Sequence, residues 1–286
     1  MCLTLPRQLS NAFLCDVRTY DVHDNRCVDN EGESELDRLA IECLQSGTAR
    51  VVTLQQENAV AALAFPVFRN ETIVSIVVLA TTAVDQTPGV FEVWSPVGIY
   101  EEVALSSGYY GHLARFQNVS SFIRFEKGSG LPGQVWNSLR SIIHNDLANH
   151  SGFLRAAGAS AGTLETAIGI PVAGENYVAS VLLISSNVAP MARGFEIWRA
   201  DADGGYTLES ASYPDPQIEL AIGTSMPANS GIPALADEHN GATVTENPTI
   251  LRSGRQFDED ATPIQGCLAI PFYESDAITS VTVLLF

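Results

Sequence analysis

Apolar residues recur along the chain at two periods. From Glu35 to Ser46, Leu36, Leu39, Ala40, Cys43 and Leu44 keep the i, i+3, i+4, i+7, i+8 spacing of one helix face. Ser34 offers an N-cap and Gly47 a C-terminal stop. Elsewhere the apolar runs are strand-sized and come in pairs. Leu63-Ala64-Phe65-Pro66-Val67, Ile168-Gly169-Ile170-Pro171-Val172 and Leu268-Ala269-Ile270-Pro271-Phe272 each lead, through a short polar turn, into a second β-rich run (73–79, 177–184 and 278–285). These pairs read as hairpins. The proline is expected where a strand enters or bulges, or on an edge, because it has no N–H for a ladder.

The hairpins belong to a longer repeat. Phe91-Glu92-Val93-Trp94 returns as Phe195-Glu196-Ile197-Trp198, 195 − 91 = 104 residues on. Gly130-Leu131-Pro132 returns as Gly231-Ile232-Pro233, 231 − 130 = 101 residues on, and Phe153-Leu154-Arg155 as Ile250-Leu251-Arg252, 252 − 155 = 97 on. Landmarks in one order at nearly one offset indicate duplication. Each full copy predicts a Phe-Glu-x-Trp strand, a turn, a second strand, a helix opening at Gly-x-Pro, an edge strand and the final hairpin. That is an antiparallel sheet with helices on it, an α+β fold. The front of the chain lacks a Phe-Glu-x-Trp strand. The expected units are therefore 1–84, a partial or degenerate copy, then 85–188 and 189–286.

Composition narrows the partners. With 15 basic and 33 acidic residues the formal charge is −18, which repels phosphate backbones and anionic lipid surfaces. No apolar run approaches the ~20 residues that span a bilayer. Five irregularly spaced cysteines without a C-x-x-C suit reduced thiols in a cytoplasm better than a disulfide framework or a zinc site.

Four stretches invite a sharper reading. Gly128-Ser129-Gly130-Leu131-Pro132-Gly133 fits G-x-G-x-x-G, but Arg124, Glu126 and Lys127 interrupt the buried strand that a dinucleotide loop requires. The later copy keeps only Gly231 and Pro233 of it, which favours a helix-starting turn. Gly158-Ala159-Ser160-Ala161-Gly162 fits the G-x-S-x-G elbow, yet it is expected to run from helix to strand, the reverse of that motif. Asp201-Ala202-Asp203-Gly204-Gly205 begins like a calcium loop and then fails its ligand set, so it reads as a hairpin turn. His144, Asn145, Asp146 and His150 are too irregular for a metal site, and on a strand His144 and Asp146 would share a face.

The motifs at 130–136, 153–157 and 167–172, with the strand through Ser180-Val181-Leu182, resemble a GAF domain, the small-molecule sensor module of many signalling proteins. The resemblance covers roughly 89–187 well, 194–286 more weakly, and only the second half of the pattern in 35–81. It implies a profilin/PAS-like six-stranded antiparallel sheet with helices on one side and a capped pocket on the other. The ligand-pocket candidates are then Trp94, Trp136, His144, Phe153, Arg155, Trp198 and Arg252. For the tryptophans, sheet core and ligand platform both stand. For Arg155 and Arg252, an anion anchor and a surface salt bridge both stand. No cofactor is identified. Residues 89–187 hold no cysteine for a bilin, and Cys267 stands alone where sulfoxide-reductase members need several. The expectation is a non-enzymatic signalling protein that binds a small ligand or a protein partner, with homodimerisation left open. The alternative is a scaffold or dimerisation module whose pockets are filled by its own side chains.

Overall fold

The computed structural model describes residues 1–4, 12–28, 32–56, 58–82, 87–255 and 264–286. The expected boundary at 84/85 lies outside them. Strands alternate with short helices in three successive sheets, each antiparallel and six-stranded. The first holds β1 (Cys2–Thr4), β2 (Leu14–His23), β3 (Arg26–Cys27), β4 (Arg50–Thr53), β5 (Ala59–Arg69) and β6 (Thr72–Thr82), in the order β1-β2-β6-β5-β4 with β3 also on β2. The second holds β7 (Gly89–Val97), β8 (Glu102–Tyr109), β9 (Arg124–Glu126), β10 (Ile142–His144), β11 (Leu164–Ala173) and β12 (Tyr177–Ser186), ordered β10-β11-β12-β7-β8-β9. The third holds β13 (Gly194–Ala200), β14 (Tyr206–Ser212), β15 (Ser225–Met226), β16 (Thr243–Thr245), β17 (Cys267–Glu274) and β18 (Ala277–Leu285), ordered β15-β14-β13-β18-β17-β16. The repeated α+β architecture expected from the sequence is thus present.

The register places the copies in correspondence. Pro66, Pro171 and Pro271 pair with Ile76, Ser180 and Val281, and those three pair in turn with Tyr20, Trp94 and Trp198. So β2 occupies the place of the two Phe-Glu-x-Trp strands, with Arg18 where they carry Glu92 and Glu196. The front copy, expected to hold only the second half of the pattern, has this strand too. It escaped notice because Asp16-Val17-Arg18-Thr19-Tyr20 shares no residue type with Phe-Glu-x-Trp at the matching glutamate and tryptophan positions.

The three prolines are tolerated for the reason anticipated. β4, β10 and β16 pair with residues up to Ala64, Gly169 and Ala269 and do not reach the prolines, so each proline has no partner on the side of its missing N–H. A register shift follows within two residues in every copy.

One face of each sheet carries helices. α1 (Glu35–Ser46) lies on β5 and β6, α2 (Ala114–Phe122) against β8, α3 (Gly130–Ser138) on β11 and β12, and α5 (Gly231–Glu238) on β17 and β18. α1 has the bounds that its periodicity predicts. Ser34 and Asp37 form a reciprocal capping box, and Gly47 closes the helix at φ 63°. α3 starts at the glycine-rich stretch. Gly130 and its counterpart Gly231 stand at φ 58° and 76°, and a methyl on Gly133 would lie 2.1 Å from the Glu126 carbonyl oxygen. Gly128 N–H donates to the Gly133 carbonyl at 2.7 Å. The motif is therefore spent on a tight turn and a close helix–strand approach.

The opposite faces meet one another. Val17, Phe65 and Val77 of the first sheet, Phe91, Ile170 and Val181 of the second, and Phe195, Ile270 and Leu284 of the third belong to one buried core. Separate cores lie beneath the helices of each copy. Sheets covered on both faces need apolar residues at nearly every position. Hence β12 is buried from Ala179 to Ser186 without alternation.

The copies follow one another around this core in a closed ring. β4 of the first packs on β8 of the second, β10 of the second on β14 of the third, and β16 of the third on β2 of the first. Each contact is head-to-tail, and three of them close the ring. Hydrogen bonds cross every boundary, among them Val51 N–H to Ser107 Oγ at 2.9 Å, Thr282 Oγ1 to Ser141 Oγ at 2.7 Å, and Ala242 N–H to Ser75 Oγ at 2.9 Å. Where the hairpins converge, Pro66, Pro171 and Pro271 line a cavity of about 10 Å³, barely the size of one water. Among the described residues no helix is long and apolar enough to cross a membrane.

Candidate functional site

Under the helices of the second copy the interior is filled by the chain's own side chains. Glu92 and Trp94 are two apart on β7 and so point to one face, the helix side. Arg155, which precedes α4 (Ala156–Ala161), reaches in and pairs with Glu92 through both terminal nitrogens, Nη1 to Oε1 and Nη2 to Oε2, the latter at 2.9 Å. The Glu92 carboxylate also accepts from Trp94 Nε1 at 2.9 Å, Tyr110 Oη at 2.8 Å and Ser120 Oγ at 3.0 Å. Aromatic rings surround the guanidinium. Its carbon lies 5.3 Å from the Trp94 centroid, 4.7 Å from Phe116, 5.9 Å from Phe125 and 5.2 Å from Phe153. Burial, and then the Glu92 charge, push the Tyr110 hydroxyl well above the usual phenol range.

The third copy repeats the device. Glu196 pairs with Arg255 and accepts from Trp198 Nε1 at 2.9 Å and Tyr213 Oη at 2.6 Å. Arg255 Nε donates to the Ile218 carbonyl at 3.2 Å, where the second copy uses Ser120. In the first copy the charges change places. Arg18 on the strand meets Asp16 at 2.8 Å and Asp37 of α1 at 3.2 Å, and Tyr20 Oη donates to Asp37 at 2.6 Å.

Two expectations are corrected. Arg155 is neither a surface salt bridge nor an anion anchor at a pocket mouth, because its side chain is 2% exposed and its partner Glu92 is fully buried. Its counterpart is Arg255, 255 − 155 = 100 residues on, and not Arg252, which is exposed at the end of α6 (Pro248–Leu251). The Ile-Leu-Arg triplet misled because it matches Phe-Leu-Arg locally. The offset of the Ile-Pro landmark, 270 − 170 = 100, points to Arg255.

The remaining candidates divide. Trp94 and Trp198 are wholly buried in the sheet cores. Phe153 stacks on Phe116 with ring centroids 6.5 Å apart. Trp136 is half-buried, stacked on Tyr177 at 5.0 Å with Lys127 Nζ 5.3 Å from its centroid. His144 is buried and stacked on His150 at 3.8 Å. Its Nε2 lies 3.1 Å from Gln134 Oε1, an acceptor, so Nε2 carries the proton and Nδ1 is left without a partner. Burial, and then His150, pull the imidazole down to about 4. His144 and Asp146 do not share a strand face, because β10 ends at His144 and Asp146 turns to φ 51°. Ser160 lies on the exposed end of α4, which runs into β11, so helix precedes strand as expected. Asp201 to Gly205 form the β13–β14 turn, in which Asp201 Oδ2 accepts from Thr207 Oγ1 at 2.6 Å. Among the described residues no group of acids, histidines and cysteines is placed to hold a metal.

Sequence reasoning passed over the boundary between the second and third copies. A cleft of about 580 Å³ opens there, with Asp146, Glu165 and Thr166 on one side and Arg193, Ser212 and Asp215 on the other. Its floor is tied across the boundary by Thr166 Oγ1 and Ser212 Oγ at 3.1 Å and by Asn145 Nδ2 donating to the Ala211 carbonyl at 3.4 Å. Arg193 Nε donates to Asp215 Oδ2 at 3.1 Å. A smaller cleft of about 170 Å³ sits at the boundary between the third and first copies, beside Thr245 and Glu246.

No protein-family model matches the chain, and no curated protein matches it. Solved structures similar to part of it include the A. aeolicus nlh2 GAF domain in an inactive state, at 18% identity and a TM-score of 0.28, over 34% of this chain and 57% of that one. Others are the free methionine-R-sulfoxide reductase of Neisseria meningitidis with its substrate, at 13% identity and a TM-score of 0.27 over 34% and 51%, and the GAF domain of a Coxiella burnetii phosphoenolpyruvate-protein phosphotransferase, at 16% and 0.26 over 33% and 56%. The matched part spans a little over half the length of each of these structures. Within this chain, an antiparallel six-stranded sheet carrying helices on one face is repeated three times.

Proposed function

We propose that the chain is a non-enzymatic recognition protein, a ring of three GAF-like units at 1–84, 85–188 and 189–286 that works in signalling through its surfaces and inter-copy clefts. One observation carries this reading. The interior position of the second and third copies is filled by a buried arginine, ringed by aromatic side chains in the second and clamped by a glutamate in both. That favours the scaffold alternative over a sensor that encloses its ligand within a copy. Against sulfoxide-reductase chemistry, Cys267 is buried, and burial followed by the nearby Glu196 pushes its thiol up to about 12, where almost no thiolate exists. A cytoplasmic setting is part of this proposal, and the irregular cysteine spacing without a C-x-x-C supports it.

Native mass spectrometry of the purified chain tests this. The expected native mass equals the denatured mass for each subunit. A small molecule released only on denaturation, and retained equally when the cleft residue Glu165 is changed to Gln, would lie inside a copy, and the recognition reading would fail.

A further inference from the structure

We infer that the cleft between the second and third copies binds a small organic cation that offers amine or guanidine N–H groups. The assignment builds on the recognition reading and adds a place and a chemical class to it. The volume of about 580 Å³ falls within the range of small-molecule sites. Both copies supply its walls, and the hydrogen bonds across its floor fix them before anything binds.

Charge chooses the ligand. Three carboxylates face the cleft, from Asp146, Glu165 and Asp215, against the one guanidinium of Arg193. That guanidinium is committed to Asp215, through Nε at 3.1 Å and through a second nitrogen, so it does not offer an anion site. Among the described residues the Asp146 carboxylate accepts only from a neutral amide, Asn149 Nδ2, at 2.9 and 3.1 Å. Glu165 is half-buried and makes no side-chain hydrogen bond or ion pair among the described residues. Two carboxylates are thus left without a cation, in a concavity of a chain that carries −18 overall. Low-dielectric walls concentrate that field and favour positive ligands. A hard metal ion needs several oxygens closing on one point, and among the described residues no three acids, histidines or cysteines converge so. An organic cation needs only separated acceptors for its N–H groups, and the Pro190, Pro214 and Tyr213 rings supply an apolar wall for its methylenes. Tyr213 also links the cleft to the interior, because its hydroxyl is held by Glu196.

Isothermal titration with 1,4-diaminobutane, at ionic strength matched with potassium chloride, tests the assignment. The wild-type chain should bind it saturably. Glu165→Gln and Asp146→Asn, each checked for native circular dichroism, should weaken binding about tenfold, as expected for loss of a charge-assisted hydrogen bond. No saturable binding by the wild-type chain, or wild-type affinity in both variants, would overturn the site. Calcium chloride displacing the diamine at lower concentration than the diamine itself binds would overturn the class of ligand. The Glu165→Gln variant separates these outcomes from the native mass, because a ligand inside a copy stays with that variant and a cleft ligand does not. A ligand retained inside a copy would defeat the recognition reading while leaving the titration to decide the cleft.

Discussion

Arg155 and Glu92 lie 63 residues apart in the chain and meet as a two-pronged ion pair sealed from water. A buried charge pair of this kind adds little net stability over apolar residues of the same size, but breaking it is expensive. Arg155→Ala should therefore cost roughly 3–5 kcal/mol by urea denaturation, because Glu92 is left charged and unpaired. The double variant Glu92→Gln with Arg155→Met removes the orphaned charge yet keeps an acceptor beside Trp94 Nε1 and Tyr110 Oη, and should recover most of that loss. A double variant as unstable as Arg155→Ala would mean that the pair itself, and not the orphaned charge, is what the fold needs.

The correction from Arg252 to Arg255 gives a direct comparison. Arg255→Ala should destabilise by several kcal/mol, on the order of the Arg155 change, since both leave a buried glutamate without its cation. Arg252→Ala, at an exposed position, should stay within about 1 kcal/mol. Equal effects in thermal unfolding would undo the correspondence between the copies.

Gly133→Ala tests the reading of the glycine-rich turn. The added methyl would meet the Glu126 carbonyl, so a loss of roughly 1–3 kcal/mol is expected from the forced shift. A neutral substitution would show that the approach of α3 to β9 is not tight.

His144 predicts a dependence on acid. Its folded pKa of about 4 lies below the ordinary 6.5, so between these values the unfolded chain takes up a proton that the folded chain refuses. The contribution is full above about pH 6.5 and fades as pH falls towards 4, by up to about 3 kcal/mol. His144→Gln should flatten this part of the stability–pH curve. An unchanged slope would place its origin elsewhere.

Much of the fold was readable from periodicity. α1 and its caps, the three Pro-containing hairpins and the Phe-Glu-x-Trp strands all follow from local spacing and turn chemistry. The ring was not readable. It depends on which faces of the sheets meet, and a strand such as β12, apolar on both sides, reads the same whether it packs on a helix or on another sheet. The glutamates of the Phe-Glu-x-Trp strands were visible as charges in apolar surroundings. Their partners were not, because Arg155 and Arg255 come from loops whose reach no short pattern encodes. The cleft was invisible for the same reason. Glu165 and Asp215 are ordinary acids until two copies are placed side by side.

The shared core is the claim on which the rest depends, and cooperative unfolding tests it most directly. Trp94 and Trp136 report on the second copy, Trp198 on the third, and far-ultraviolet circular dichroism on all three. If the sheets are held by one core, fluorescence and circular dichroism should follow a single, coincident urea transition. Separate midpoints for the two signals, or a plateau between two steps, would mean that the copies stand independently, and the ring would be contradicted.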